Sequence, residues 1–324
     1  MIQKTSLFRR TLRILTAVLA VFLPGACDTI TEDLQPCANY LAFRYDYNLL
    51  YADAFPTQVK RIDVYVFTEE GSFVTRFHEE RDSFGQDYRM PCNLQAGKYH
   101  LVVWAGLYDR SYGFLPEVKR LEELTVKMHR QPGGVQQQNL DALWHGEVTA
   151  EFTDYEIRTV TIPLVKDTNR FRIVVQGAAD LGLEKESLSF SITDANGHLN
   201  YDNSLLPDEE LTYRPYYQEK ADLGDDEGAM DAVVAEMNTL RLLADRKPRL
   251  IIENEDGRKL VNIDLIHYLL LTKMEGHPIP AQEYLDRQDE YTMIFFLNKD
   301  ALGNYLLVKI QINDWVLRPQ EGDF

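Results

Sequence analysis

The strongest constraint on this chain is an alternation of period two, broken at short intervals by turn chemistry. Leu41, Phe43, Tyr45 and Tyr47 put apolar or aromatic groups on the odd positions, and Arg44, Asp46 and Asn48 point the other way. That is the pattern of a strand with one buried face. Ile62, Val64 and Val66 repeat it on even positions, and Glu69-Glu70-Gly71 turns the chain into Phe73 to Phe77, which predicts a hairpin. Gly97 precedes Tyr99 to Leu107, a nearly continuous apolar run that suits a strand covered on both faces. Val160, Ile162 and Leu164 close this first set.

The pattern breaks at Lys166-Asp167-Thr168-Asn169 and restarts with Phe171, Ile173 and Val175. Leu188 to Thr193 reads as a strand and Asp194-Ala195-Asn196-Gly197 as a hairpin turn. Arg249 to Glu253, the turn Asn254 to Gly257, and Lys259 to Asp264 form another hairpin. Tyr291 to Leu297 and Tyr305 to Ile312 are paired strands around Gly303. Helical signal is thin. Ile263, Ile266, Leu269 and Leu270 have helical spacing, Ala281 to Gln288 suits two turns, and the acidic stretch Asp222 to Glu236 reads as a loop with a short helix. Many short strands and few helices predict an all-β fold of sandwiches, not a parallel α/β sheet. The immunoglobulin order of cysteine, tryptophan and cysteine is absent.

The N-terminus carries Lys4, Arg9, Arg10 and Arg13 with no acid, then the apolar run Ile14 to Leu23, then Pro24, Gly25, Ala26 and Cys27. A basic start, a short apolar core and small residues before the cut make residues 1–26 a signal peptide; about ten apolar residues fall short of the roughly 20 that a spanning helix needs. The cysteine after two small residues resembles the bacterial lipobox, with Pro24 where an apolar residue is usual, so Cys27 is the candidate lipidation site. Residues 27–36 read as a lipidated, solvated tether. About 290 residues remain, more than one β-core usually holds, so the chain divides into an N-terminal sandwich over 37–166 and a C-terminal one over 167–324.

With Cys27 lipidated, Cys37 and Cys92 are an even pair in a chain bound for an oxidising compartment. A bridge between them would close about 55 residues and contribute on the order of 4 kcal/mol; two independent thiols are the alternative. Acidic residues outnumber basic ones 51 to 34, and loss of the signal takes the formal charge from −17 to about −21. Nucleic acid is therefore not the ligand, and attachment to a membrane has to come from acyl chains on Cys27 rather than from a basic patch.

No nucleophile elbow, phosphate loop, dinucleotide loop or zinc helix is present. The seven histidines are scattered without metal-ligand spacing, and His78 beside Glu79 and Glu80 belongs on an exposed hairpin arm. Asp194, Asn196 and Gly197 lack the ligand series of a calcium loop and read as turn chemistry. Tyr45, Tyr47, Tyr51, Tyr213, Tyr216 and Tyr217 offer either a sugar-stacking surface or core and edge packing, and strand propensity favours packing. No catalytic, cofactor or metal residue is predicted; a carboxylate pair without a linear motif is the remaining route to an enzyme.

Leu41 to Asn48, Val64-Tyr65-Val66-Phe67, Ala96-Gly97-Lys98-Tyr99 with Val102 to Leu107, and Leu143-Trp144-His145-Gly146 resemble the first domain of the fimbrial anchor lipoproteins of Bacteroidales. Asn238 to Leu242, Pro248-Arg249-Leu250, Gln282 to Tyr291 and Ile310 to Trp315 are similar to their second half. The resemblance implies two tandem transthyretin-like β-sandwiches and a cell-adhesion role. It places the protein in the outer membrane at the base of a fimbrium, holding pilin subunits by β-strand complementation. Pilins of such systems are cut after a basic residue to free a groove. Arg44 and Arg61 lie within or beside strands and give no equivalent site, which fits a subunit that ends the polymer. Val308 to Val316 reads first as an ordinary core strand and second as a pairing edge. A surface glycan-binding lipoprotein of similar architecture is the alternative function.

Overall fold

A computed structural model describes residues 39–317 apart from 116, 179–180, 182, 224–229, 274–278, 300–304 and 314. The strands of the first half are β1 (Asn39–Arg44), β2 (Arg61–Thr68), β3 (Phe73–Glu80), β4 (Met90–Cys92), β5 (Gly97–Ala105), β6 (Tyr112–Phe114), β7 (Val126–Met128), β8 (Val135–Gln136), β9 (Trp144–Phe152), β10 (Thr159–Pro163) and β11 (Val165–Lys166). Those of the second half are β12 (Thr168–Ala178), β13 (Leu188–Asp194), β14 (His198–Leu199), β15 (Leu211–Tyr213), β16 (Tyr217–Leu223), β17 (Met230–Leu240), β18 (Arg249–Asn254), β19 (Lys259–Asp264), β20 (Glu290–Lys299), β21 (Tyr305–Ile312) and β22 (Trp315–Leu317). Three short helices join them: α1 (Phe55–Gln58), α2 (Leu265–Leu270) and α3 (Ala281–Arg287). The fold is all-β, built of sandwiches.

In the first sandwich a three-stranded sheet, ordered β10-β1-β4, faces a five-stranded one, ordered β11-β9-β5-β2-β3. Leu41, Phe43, Met90, Cys92, Val160 and Ile162 from the small sheet meet Ile62, Val64, Val66, Leu101 and Val103 from the large one. In the second, a six-stranded sheet (β16-β17-β12-β20-β21-β22) faces β19-β18-β13-β15-β8. Phe171, Ile173, Val175, Met293 and Phe295 pack there against Phe190, Ile192, Leu250, Ile252 and Val261.

The two sandwiches share a core. Tyr65, Phe67, Val102 and Trp104 point away from the first core and join the second one. This is why β5 reads as a continuous apolar run: residues 101–105 are buried on both faces, each large side chain contributing about 1.5–3 kcal/mol. It is also why β2 departs from simple alternation and buries Asp63, Tyr65 and Phe67 as well as Ile62, Val64 and Val66. Backbone pairing crosses the same boundary. β7 pairs antiparallel with β14 (Lys127 opposite His198), and β8 pairs parallel with β15 (Thr212 opposite Val135). At the bend that leads from β5 into this crossing segment, Gly106 has φ +75°, and a Cβ there would lie 1.9 Å from the Ala142 carbonyl oxygen, so only glycine fits.

The hairpins β2/β3, β18/β19 and β20/β21 form where the turn chemistry puts them, and α2 and α3 form where the helical spacing lies. Two expectations fail. Met230–Leu240 is an 11-residue central strand between β12 and β16, not a loop with a short helix. Its acids are neutralised across the sheet: Glu236 takes Arg170 at 2.8 Å and Arg172 at 2.7 Å, so charge does not keep the segment out of the core. The turn after β13 does not close a hairpin. β13 pairs with β15 and β18 while β14 pairs with β7. The buried Asn196 directs this by donating to the carbonyls of Leu240 and Arg241 at 3.1 and 3.0 Å and accepting from the Tyr213 hydroxyl at 2.5 Å.

Candidate functional site

The first candidate surface is the strand slot that β1 fills. β1 lies in the middle of its sheet, parallel to β10 (Leu41 opposite Val160) and antiparallel to β4 (Asn39 opposite Cys92). Leu41, Phe43 and Tyr45 drop into the core, and the Phe43 ring stacks on Phe55 at 5.6 Å and Tyr88 at 6.4 Å. The strand ends at Arg44 because the next backbone N–H, that of Tyr45, donates to Asp53 Oδ1 at 2.9 Å, an atom that also accepts from Phe55 N at 3.1 Å. Arg44 O accepts from Leu164 N at 2.8 Å. Both sides of the Arg44–Tyr45 peptide bond are thus held.

The loop that follows docks on the second sandwich. Asn48 folds it by donating to the Tyr45 and Ala52 carbonyls, at 3.0 and 2.8 Å, and accepting from Leu50 N at 3.0 Å. Arg287 of α3 lies over the Tyr47 ring at 4.0 Å and the Tyr51 ring at 4.5 Å, and Lys166 bonds Asp289.

The second candidate surface is the end of the six-stranded sheet. Among the described residues β21 pairs with β22 through Ile310–Leu317, Gln311–Val316 and Ile312–Trp315. Ile310 and Ile312 are in the core, whereas Leu306, Val308 and Val316 are 53%, 45% and 53% exposed. A bulge at Phe296/Leu297 flips the register of β20 and β21, so Leu307 packs inward while Leu306 and Val308 face out. The strand is therefore part core and part exposed. Apolar groups on an exposed edge are what a partner strand uses and what an uncovered edge suffers from.

Between the two halves lies a buried polar cluster. Asp167 Oδ1 accepts from Asn203 Nδ2 at 2.8 Å while its Oδ2 has no partner, and burial pushes its carboxyl up to about 7. His145 is buried, bonds the Tyr201 carbonyl at 2.7 Å, and is pushed down to about 4 by desolvation. Arg241 makes a two-pronged bond to Asp286, both arms at 2.8 Å, and donates to the Asn203 carbonyl at 2.9 Å.

Of the predicted site residues, Cys27 and Cys37 lie outside the described residues. Cys92 is buried and has no disulfide partner among the described residues, and burial pushes its thiol up to about 11. The six tyrosines do not form one surface. Tyr45 and Tyr213 are buried, Tyr47 and Tyr51 flank Arg287, Tyr216 bonds Glu236 at 3.1 Å and Tyr217 bonds Glu219. His78 is on the hairpin arm, with Nδ1 2.7 Å from the buried Asp63, which also takes Arg61 at 3.0 Å and Arg76 at 2.6 Å. Asp63 was missed because an acid inside an apolar strand signals nothing alone; Arg61 two residues earlier was the available clue. Among the described residues no group of three or more histidines, cysteines and acids could hold a metal ion, and no helix is long and apolar enough to cross a membrane.

The architecture defines a class of all-β proteins built of fused sandwiches, with the central strand slot of the first filled from within. The family model of the fimbrillin-A associated anchor proteins Mfa1 and Mfa2 matches residues 32–321, and the chain belongs to that family. Its role is fimbria-associated, at the cell surface. It is 36% identical to a candidate polysaccharide-binding protein of Bacteroides thetaiotaomicron, with 89% of this chain and 100% of that one covered at a TM-score of 0.78. A candidate adhesin of the same organism is 33% identical over 88% of this chain and 99% of its own, at 0.77. The fimbrial anchor protein Mfa2 from Porphyromonas gingivalis shares the fold at 17% identity, over 87% and 99% of the two chains, with a TM-score of 0.68. No curated protein sequence matches the chain.

Proposed function

We propose that this chain is a lipid-anchored fimbrial anchor that ends a polymer of pilin subunits at the outer membrane. Cys27 carries the acyl chains, residues 28–36 span from lipid to fold, and the two sandwiches hold the lowest pilin by β-strand complementation. The observation that carries this reading is β1. Its central place, its three core side chains and the hydrogen bonds on both sides of Arg44–Tyr45 fill the first sandwich from within. A chain whose slot is occupied by its own strand accepts no donor strand there, so growth stops. The exposed stretch of β21 and β22 is the place we assign to the pilin, since Leu306, Val308 and Val316 offer side-chain contacts there.

The experiment is Cys27→Ala in cells. The protein is expected in the medium with its fimbriae attached, whereas fimbriae that stay on the cell would remove the anchoring role. Glycan binding, suggested by the name of one relative, would need a contiguous aromatic platform, which these six tyrosines do not supply.

A further inference from the structure

The pole of the first sandwich where β1 begins carries a feature that the fimbrial role leaves unused. Residues 153–158 join β9 to β10. Their last member, Arg158, donates its N–H to Asn39 Oδ1 at 2.9 Å and accepts from Tyr40 N at 2.8 Å, while its guanidinium donates to the Glu151 carbonyl at 2.7 Å. The loop is therefore fixed beside Asn39, where the described chain starts. Tyr155 in this loop is 97% exposed and Ile157 is 58% exposed. Two large side chains are thus held in water next to the anchored Arg158, where burial would be favourable.

The chain outside the described residues says what covers them. The eleven residues between Cys27 and Asn39 reach at most about 40 Å, so of the two ends of β1 this pole is the nearer along the chain to whatever surface holds Cys27. The loop after β1 is at the opposite end of that strand, roughly 20 Å farther away. A tyrosine with an apolar ring and a polar hydroxyl suits the membrane–water interface. Charge adds no net attraction here: the loop carries Asp154 and Glu156 against Arg158, Glu151 precedes it, and Lys98 is paired with Glu69. The contact has to be apolar insertion among neutral headgroups.

We infer that the loop over residues 153–158 inserts Tyr155 and Ile157 into the interfacial layer of the lipid bilayer, so that the protein stands on its N-terminal pole instead of swinging on its tether. The inference rests on the lipidation of Cys27. The test uses the full chain processed in cells and reconstituted in phosphatidylcholine vesicles with and without brominated acyl chains. Tyr155→Trp is compared with Leu50→Trp at the opposite end of β1 and with the unsubstituted chain. Both variants are expected to float with the vesicles, with the added emission of Tyr155→Trp shifted to shorter wavelength and lost on brominated lipid, and that of Leu50→Trp unchanged. Floating protein with unquenched Tyr155→Trp, or with both variants quenched alike, overturns the inference and leaves the lipid reading intact. Protein that does not float overturns the lipid reading and this inference with it.

Discussion

The two ends of the described chain close their sheets in opposite ways. β1 enters between two partners and buries every second side chain, whereas among the described residues β22 pairs with the last part of β21, and Leu306 and Val308 are exposed. A strand whose apolar face is buried is worth stability; a strand that leaves apolar groups in solvent is worth a contact. The comparison teaches that similar alternating sequences at the two ends do different jobs because of how much of each apolar face is covered.

The largest expected effect is at the filled end. Phe43→Ala should cost about 3–5 kcal/mol, read as a lower urea midpoint, because Phe43 is buried in a ring stack. A loss under 1 kcal/mol would mean that β1 does not complete the first core. Next is Asp53→Ala, which leaves the N–H groups of Tyr45 and Phe55 without their acceptor at about 1–3 kcal/mol. Trypsin is expected to cut the variant after Arg44 while sparing that bond in the native chain, and equal rates would break the link between the Asp53 bonds and the closed slot.

Between the ends, the buried cluster makes a pH prediction of a few degrees in Tm. Asp167 has its pKa raised, so its stability contribution is present below about pH 4 and lost as pH rises through about 7. His145 has its pKa lowered, so its contribution is present above about pH 6.5 and lost as pH falls through about 4. The slopes oppose each other over most of that window. Asp167→Asn should therefore raise Tm at pH 8 relative to the native chain and by less at pH 5, and leave a Tm that climbs from pH 4 to 6.5. A variant curve parallel to the native one would remove Asp167 as the source. The smallest stability effect is at the open edge: Val308→Lys should change unfolding by less than about 0.5 kcal/mol yet reduce co-purification of pilin. Retained pilin would move the contact elsewhere.

Strands with one buried face and a turn of clear chemistry were legible: Ile62 to Phe77 and Arg249 to Asp264 carry both signals in adjacent residues. What could not be read was the pairing of β7 with β14 and of β8 with β15, because two- and three-residue strands have no period and their partners are about 70 residues away. The acids that precede Met230, with Asp231 and Glu236, suggest solvent, and only the register across from Arg172 shows Glu236 neutralised. The filled slot was half visible: alternation marked Leu41 and Phe43 as core, but nothing marks Asp53 as the acceptor that holds Tyr45. The two proposed routes to attachment, Cys27 and the exposed stretch of β21, differ in kind: a local motif marks the first, and only the fold marks the second.

The shared core has a mechanical consequence. Two beads on a string yield one at a time under a pull, each at its own threshold, and the string lengthens in steps. Here Tyr65, Phe67, Val102 and Trp104 are part of the far sandwich's interior, and two strand pairings cross the seam. Drag on a filament held by the second sandwich would have to shear those pairings and open that interior before the first sandwich felt the load alone. Forced rupture is governed by the unfolding rate, so the seam sets the tensile strength of the whole piece, which behaves as one link of chain.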